Sequence, residues 1–197
     1  MARTAPEARG ATAAGVCALI RLGFVASSVY FLVQGQWAAG LRFLLGLVLL
    51  AAVAWTGTPK PYEAALISLV LLGMWADVSH WYARVTHLDT AVHFALTGSG
   101  SIVVLFGFLR VSGEELRAAS RRLPVRVLTL WITMLGLAAA ALWEIYEWVV
   151  EQVAPASMRV GYDDTVADLV AGAVGSVVAG LLFSVASRHR LSGTSES

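Results

Sequence analysis

Six apolar runs, each close to the length a helix needs to cross a hydrocarbon layer, dominate this chain of 197 residues. They fall at about residues 13–34, 41–56, 62–82, 88–109, 127–150 and 165–187. Lipid offers no water to backbone N–H and C=O groups, so runs of this kind must satisfy them within helices. The sequence therefore predicts an all-α fold, a polytopic membrane protein built as a six-transmembrane-helix bundle. Composition agrees, with 58% of residues hydrophobic and 14% charged, where a soluble domain has about 45–50% and about 25%. Residues 1–12 and 188–197 read as tails and residues 13–187 as one membrane domain, with no room for a second, soluble one. The start MARTAPEARG leads into ATAAGVCALI much as a signal peptide would. Arg21 interrupts the apolar run, however, and no small-x-small cleavage site follows, so a retained first helix is expected.

Six spans place both termini on one side. Arg3, Arg9, Lys60, Arg110, Arg117, Arg121, Arg122, Arg126, Arg188 and Arg190 flank the spans on that side, while the opposite loops hold Arg42, Arg84 and Arg159. Basic residues collect on the cytoplasmic side, so both termini are expected there. The loop RVSGEELRAASRRLPVR then reads as a solvated basic segment near anionic headgroups. A net charge of +1, with its basic residues beside membrane spans, points to no nucleic acid. Arg21 lies inside the first span and either snorkels to the interface or pairs within the bundle. Cys17 reads as a packing residue, and a lone cysteine excludes an internal disulfide and a thiolate metal cluster. Gly57 and the turn TPKP close the second span. Ala167, Ala171, Gly175 and Ala179 recur at four-residue spacing in the last span, a stripe suited to close helix approach. Packing inside the bundle is its first use, and homo-oligomer contact its alternative. Gly98 and Gly100 suggest a similar close contact or a local bend in the fourth span.

The acidic residues are distributed unevenly. WADVSHWY ends span three with Asp77 and His80, and THLDTAVHF begins span four with His87, Asp89 and His93. WEIYEW ends span five with Glu144 and Glu147, followed by Glu151, and GYDDTVADL begins span six with Asp163, Asp164 and Asp168. Three of four histidines and eight of thirteen acids thus gather at the outer ends of four helices. Asp77/His80 and Glu144/Glu147 are i,i+3 pairs; Asp89/His93 and Asp164/Asp168 are i,i+4 pairs, and each pair shares a helix face. Ionised carboxylates about a turn inside the hydrocarbon boundary are costly unless paired, wetted or neutralised. Several in one hollow also repel one another, which protonation or a cation relieves.

Capping of helix starts accounts for Asp89, Asp163 or Asp164 as readily as ligation does. His87 and Glu151 read as solvated, and Trp75, Trp81, Tyr82, Trp143, Trp148 and Tyr162 as an interfacial belt. Arg84 and Arg159 would neutralise a carboxylate or hold an anionic substrate. Asp168, His93 and Glu144 are not explained by capping, and they carry the functional reading. Oxygen and imidazole donors without thiolate suit a divalent metal ion such as Zn, Mn, Fe or Mg. In that reading Asp89, His93, Asp164 and Asp168 are metal ligands, and Asp77 and His80 complete or support the site. Glu144 or Glu147 is then the catalytic general base of a hydrolase or transferase acting on a lipid-linked substrate. Two alternatives use the same residues: an ion- or proton-coupled transporter, and a non-catalytic accessory protein of the envelope. Against transport, the inner half of the spans offers Arg21 as its one ionisable candidate.

The segments THLDTAVHF, WEIYEW and GYDDTVADL resemble the Asp-x-x-x-His-Phe, Glu-x-x-Glu-Trp and Asp-x-x-x-Asp elements of the YjdF-like bacterial inner-membrane proteins. More distantly they are similar to VanZ-like proteins. The similarity covers about residues 75–180, and the first two spans match only in being apolar. The resemblance implies a small helical multi-pass protein of the bacterial cytoplasmic membrane, in contact with membrane lipids and without an established activity. Its motif positions fall on Asp89, His93, Glu144, Glu147, Asp164 and Asp168. The glycopeptide-resistance phenotype associated with VanZ-like proteins does not carry over, because the chain departs from their pattern.

Overall fold

The computed structural model describes residues 5–153 and 161–193, with side chains over 10–153 and 161–188. All its regular structure is helical, with no strand among the described residues. The helices are α1 (Ala5–Val33), α2 (Trp37–Trp55), α3 (Lys60–Val78), α4 (Trp81–Arg84), α5 (Leu88–Val111), α6 (Glu114–Ser120), α7 (Val125–Val153) and α8 (Tyr162–Gly193). Six have a membrane-spanning length and composition: Gly10–Val33, Trp37–Trp55, Lys60–Val78, Leu88–Val111, Val125–Val153 and Tyr162–Arg188. These are the six spans read from the sequence, with shifted ends. The second starts at Trp37, so Arg42 is a helical residue and not a loop residue. The third ends at Val78, because His80 turns into the left-handed region (φ 56°), a common way to close a helix. The basic loop contains α6, whose start follows Gly113 (φ 86°) and carries Glu114 and Glu115 in its first turn. Arg3, Arg159 and Arg190 lie outside the described side chains, as does that of Arg9.

The chain divides into two compact units, Met1–Thr86 and His87–Ser197. In the first, α1 packs on α2 and α3. The α1–α2 turn is a Schellman motif: Gly35, with φ 73°, donates to the Leu32 carbonyl at 3.1 Å, and Gln36 to that of Phe31 at 2.9 Å. The helices then run close enough for Ser28 Oγ to donate to the Gly40 carbonyl at 2.9 Å. Phe31 stacks on Phe43 at 5.5 Å and meets Trp75 at 5.2 Å. Trp75 also donates from Nε1 to Ser27 Oγ at 3.1 Å. It is half-buried and packs on α1 and α2 within this unit.

Arg21 pairs inside the first unit: its guanidinium meets Glu63 Oε1, and Lys60 Nζ meets Glu63 Oε2 at 2.6 Å. Glu63 is buried to 1% exposure. The expectation that Arg21 stands alone among ionisable groups in its half of the spans is thereby corrected. Cys17 is buried beside this cluster, in keeping with a packing role.

The second unit is a bundle of α5, α7 and α8, with α5 and α8 in the most extensive contact. Close approach depends on residues without bulk. A Cβ on Gly98 would lie 2.7 Å from the Gly175 carbonyl oxygen, and one on Gly136 would lie 2.1 Å from Ser176 Oγ. The expected close contact at Gly98 is therefore present, made to α8. Of the α8 stripe, Ala171 and Gly175 are buried and Ala167 is exposed, while Gly172, Ser176 and Gly180 are buried beside them. Small residues let helix backbones meet where lipid provides no hydrophobic drive.

Candidate functional site

Three helices of the second unit bring polar side chains together near their ends. Asp89 lies in the first turn of α5, and His93 follows it one turn later on the same face. Glu144 comes from α7, and Asp168 from α8 one turn beyond Asp164. By the helical rise, His93 and Asp168 stand about 7–9 Å inside the starts of their helices. His93 is the hub. Its Nε2 is 3.6 Å from Asp89 Oδ1 and 3.8 Å from Asp168 Oδ2, and its Nδ1 is 3.7 Å from Glu144 Oε1. The Asp168, Glu144 and His93 side chains are only 4%, 10% and 10% exposed.

Each of these separations is too long for a hydrogen bond, which closes at about 2.7–3.2 Å. Among the described residues, no donor lies within 3.5 Å of the Asp168 or Glu144 carboxylate. Buried carboxylates in an apolar bundle are normally satisfied. The separations do match ligation of one ion. Donor atoms from Asp89, His93 and Asp168 all lie within 4.8 Å of one another. Two donors holding one ion through bonds of about 2.0–2.2 Å stand about 3–4 Å apart.

Glu144 faces the other ring nitrogen. That is the place of a carboxylate that orients a ligating histidine and fixes its tautomer. Glu147 accepts a 2.8 Å bond from Trp143 Nε1 one turn earlier. Asp164 lies in the first turn of α8 with Asp163, where a carboxylate also suits the helix dipole. Asp89, Asp164, Glu144 and Glu147 are all near enough to act electrostatically on Asp168. The described residues at this end of the unit carry no Lys or Arg.

The structure thus gathers Asp89, His93, Asp168 and Glu144 tightly, with Glu147 and Asp164 around them. Asp77 and His80 belong to the first unit. There the Asp77 carboxylate pairs with Arg42 at 2.6 Å. The expected shared helix face of Asp77 and His80 is corrected, because α3 ends between them. His87 is exposed and precedes α5 in a left-handed conformation (φ 60°). Trp81, Trp143, Trp148 and Tyr162 are exposed, as residues of an aromatic belt are. Glu63 escaped the sequence reading. Its signal was Arg21 itself, since a cation placed within a span demands a partner.

A protein-family model described as Predicted membrane protein (DUF2238) matches residues 12–189. The YjdF-like resemblance is consistent with that family, whereas the VanZ-like one gains no support from it. No curated protein and no solved structure matches the chain.

Proposed function

The chain belongs to the DUF2238 family of predicted membrane proteins, and we propose that it holds a divalent cation in the second unit through Asp89, His93 and Asp168. One observation carries this reading: three donor atoms of suitable chemistry converge within 4.8 Å, and the buried Asp168 has no hydrogen-bond donor of its own among the described residues. Imidazole and carboxylate donors without thiolate suit Zn, Mn, Fe or Mg. Glu144 serves as the positioning residue for His93. Glu147 or Asp164, each acting electrostatically on Asp168, is the candidate for a proton transfer.

Three protein donors leave coordination positions open, the arrangement by which a cation polarises a phosphate or carbonyl oxygen. A site a turn or two inside helix ends, edged by exposed Trp143 and Trp148, suits an amphipathic molecule. Hydrolysis or group transfer on a lipid-linked substrate is the reaction class that follows. The family resemblance supports a bacterial cytoplasmic membrane, and the distribution of basic residues supports cytoplasmic termini.

Metal analysis of detergent-purified protein tests the reading. About one divalent cation per chain is expected, and His93→Ala and Asp168→Asn should each lose it. Wild-type metal content in both variants, or none in the parent, removes the proposal.

One observation favours transport as a second reading. Ser176 and Ser184, buried together with Ser101 and Thr129, continue a polar seam along α8 beyond Asp168. Cation or proton flux into proteoliposomes that vanishes with Asp168→Asn would support it, and flux at the protein-free rate would dismiss it.

A further inference from the structure

The ion cluster of the first unit lies outside the site described above. Glu63 is buried, and its two carboxylate oxygens face different cations, Arg21 at Oε1 and Lys60 at Oε2. One cation neutralises one carboxylate, so the second leaves the cluster with a net charge of +1. Glu63 has no further oxygen to offer. A guanidinium has five donors and an ammonium three, and each is drawn on here by a single oxygen of Glu63. The Arg21 side chain is 32% exposed and that of Lys60 45%, so both charged groups reach the surface.

The surroundings indicate what would meet them. Lys60 opens α3 directly after Pro59, and Glu63 follows by one turn, about 4.5 Å along the axis. Beside Arg21, Leu19, Leu22 and Val25 are exposed on α1, and Trp55 is exposed at the end of α2. Cationic donors at a helix start, next to bare apolar surface, match a molecule with an anionic head and hydrocarbon tails.

We propose that Arg21 and Lys60 bind the phosphate of an anionic phospholipid, with its acyl chains lying along the exposed face of α1. The phosphodiester supplies the negative charge that the cluster lacks. Arg21 and Glu63 then form the neutral pair that tolerates burial, and Lys60 is the recognition charge.

Native mass spectrometry of the full chain, offered phosphatidylglycerol or phosphatidylcholine, tests this. Phosphatidylglycerol should be retained preferentially. Lys60→Gln should weaken that retention about fivefold, the effect of one basic residue at a membrane surface, and leave phosphatidylcholine unchanged. Lys60→Arg should keep the preference. The Gln variant leaves the Arg21–Glu63 pair intact, and its far-UV spectrum and thermal midpoint should match the parent. Equal retention of the two lipids by the parent, or undiminished phosphatidylglycerol retention in Lys60→Gln, overturns the proposal. Displacement of phosphatidylglycerol by millimolar inorganic phosphate also overturns it, by placing recognition in the phosphate alone.

Discussion

Gly175→Ala perturbs the helix approach that assembles the site. The added Cβ would stand 2.0 Å from the Phe94 carbonyl oxygen and 2.8 Å from its carbon. Both are backbone atoms, so no rotamer change relieves the clash. Carbon–oxygen contacts settle near 3.3 Å, so α5 and α8 must separate locally by about 1.3 Å. Phe94 directly follows His93, and α8 carries Asp168 two turns before Gly175. Carried to the site, that shift takes the 3.8 Å between His93 Nε2 and Asp168 Oδ2 to roughly 5 Å, wider than the 4 Å or so that one ion bridges. Overpacking of this kind costs about 1–3 kcal/mol. At about 2–4 °C per kcal/mol for a chain of this length, the thermal midpoint should fall by several degrees. Tryptophan fluorescence melts in detergent and metal analysis of the same samples read both effects. Gly15→Ala is the control, because a Cβ there meets nothing within 4 Å. A Gly175→Ala protein with parental midpoint and metal content would refute the account of how the site is assembled.

Three further outcomes follow from the same geometry. Glu144→Gln should keep metal stoichiometry but weaken affinity about 10- to 100-fold, as loss of a histidine-orienting carboxylate does; calorimetric titration measures it. Chelation should lower the thermal midpoint of the parent, since a cation at 100 times its Kd contributes about 2.7 kcal/mol, and should not move that of His93→Ala. Arg21→Leu should cost less than the about 3–5 kcal/mol of an uncompensated buried charge, because Lys60 still faces Glu63, and adding Lys60→Gln should bring the full cost; denaturation of the single and double variants reads the coupling.

Much of the candidate site was legible because its signals are local. Asp89 and His93, or Asp164 and Asp168, share a face by spacing alone, and apolar runs mark which helices carry them. Which helices meet depends on contacts far apart in sequence. The four-residue stripe in α8 announced a close partner, but nothing in it names Phe94 or Gly98. Asp77 read as a site residue from its place at the end of span three and its spacing to His80, and Arg42 was counted with the loops. Helix α2 in fact begins before Arg42, which brings its guanidinium to Asp77. His80 was misplaced because DVSH carries no glycine or proline to announce the end of α3. Glu63 reads as an ordinary interfacial charge until the packing of α1 on α3 buries it.

The placement of His93 bears on how carboxylate repulsion at this site is relieved. Among the described residues, the basic group that faces both Asp168 and Glu144 is its imidazole, with nitrogens at 3.8 and 3.7 Å. A neutral imidazole donates from one nitrogen only, so hydrogen bonding alone serves one side of the ring and leaves the other carboxylates facing a lone pair. The proposed cation on the Nε2 side, with the Nδ1 proton directed to Glu144, would give each group a complementary partner. It also explains why two aspartates sit on one side of the ring and a single glutamate on the other.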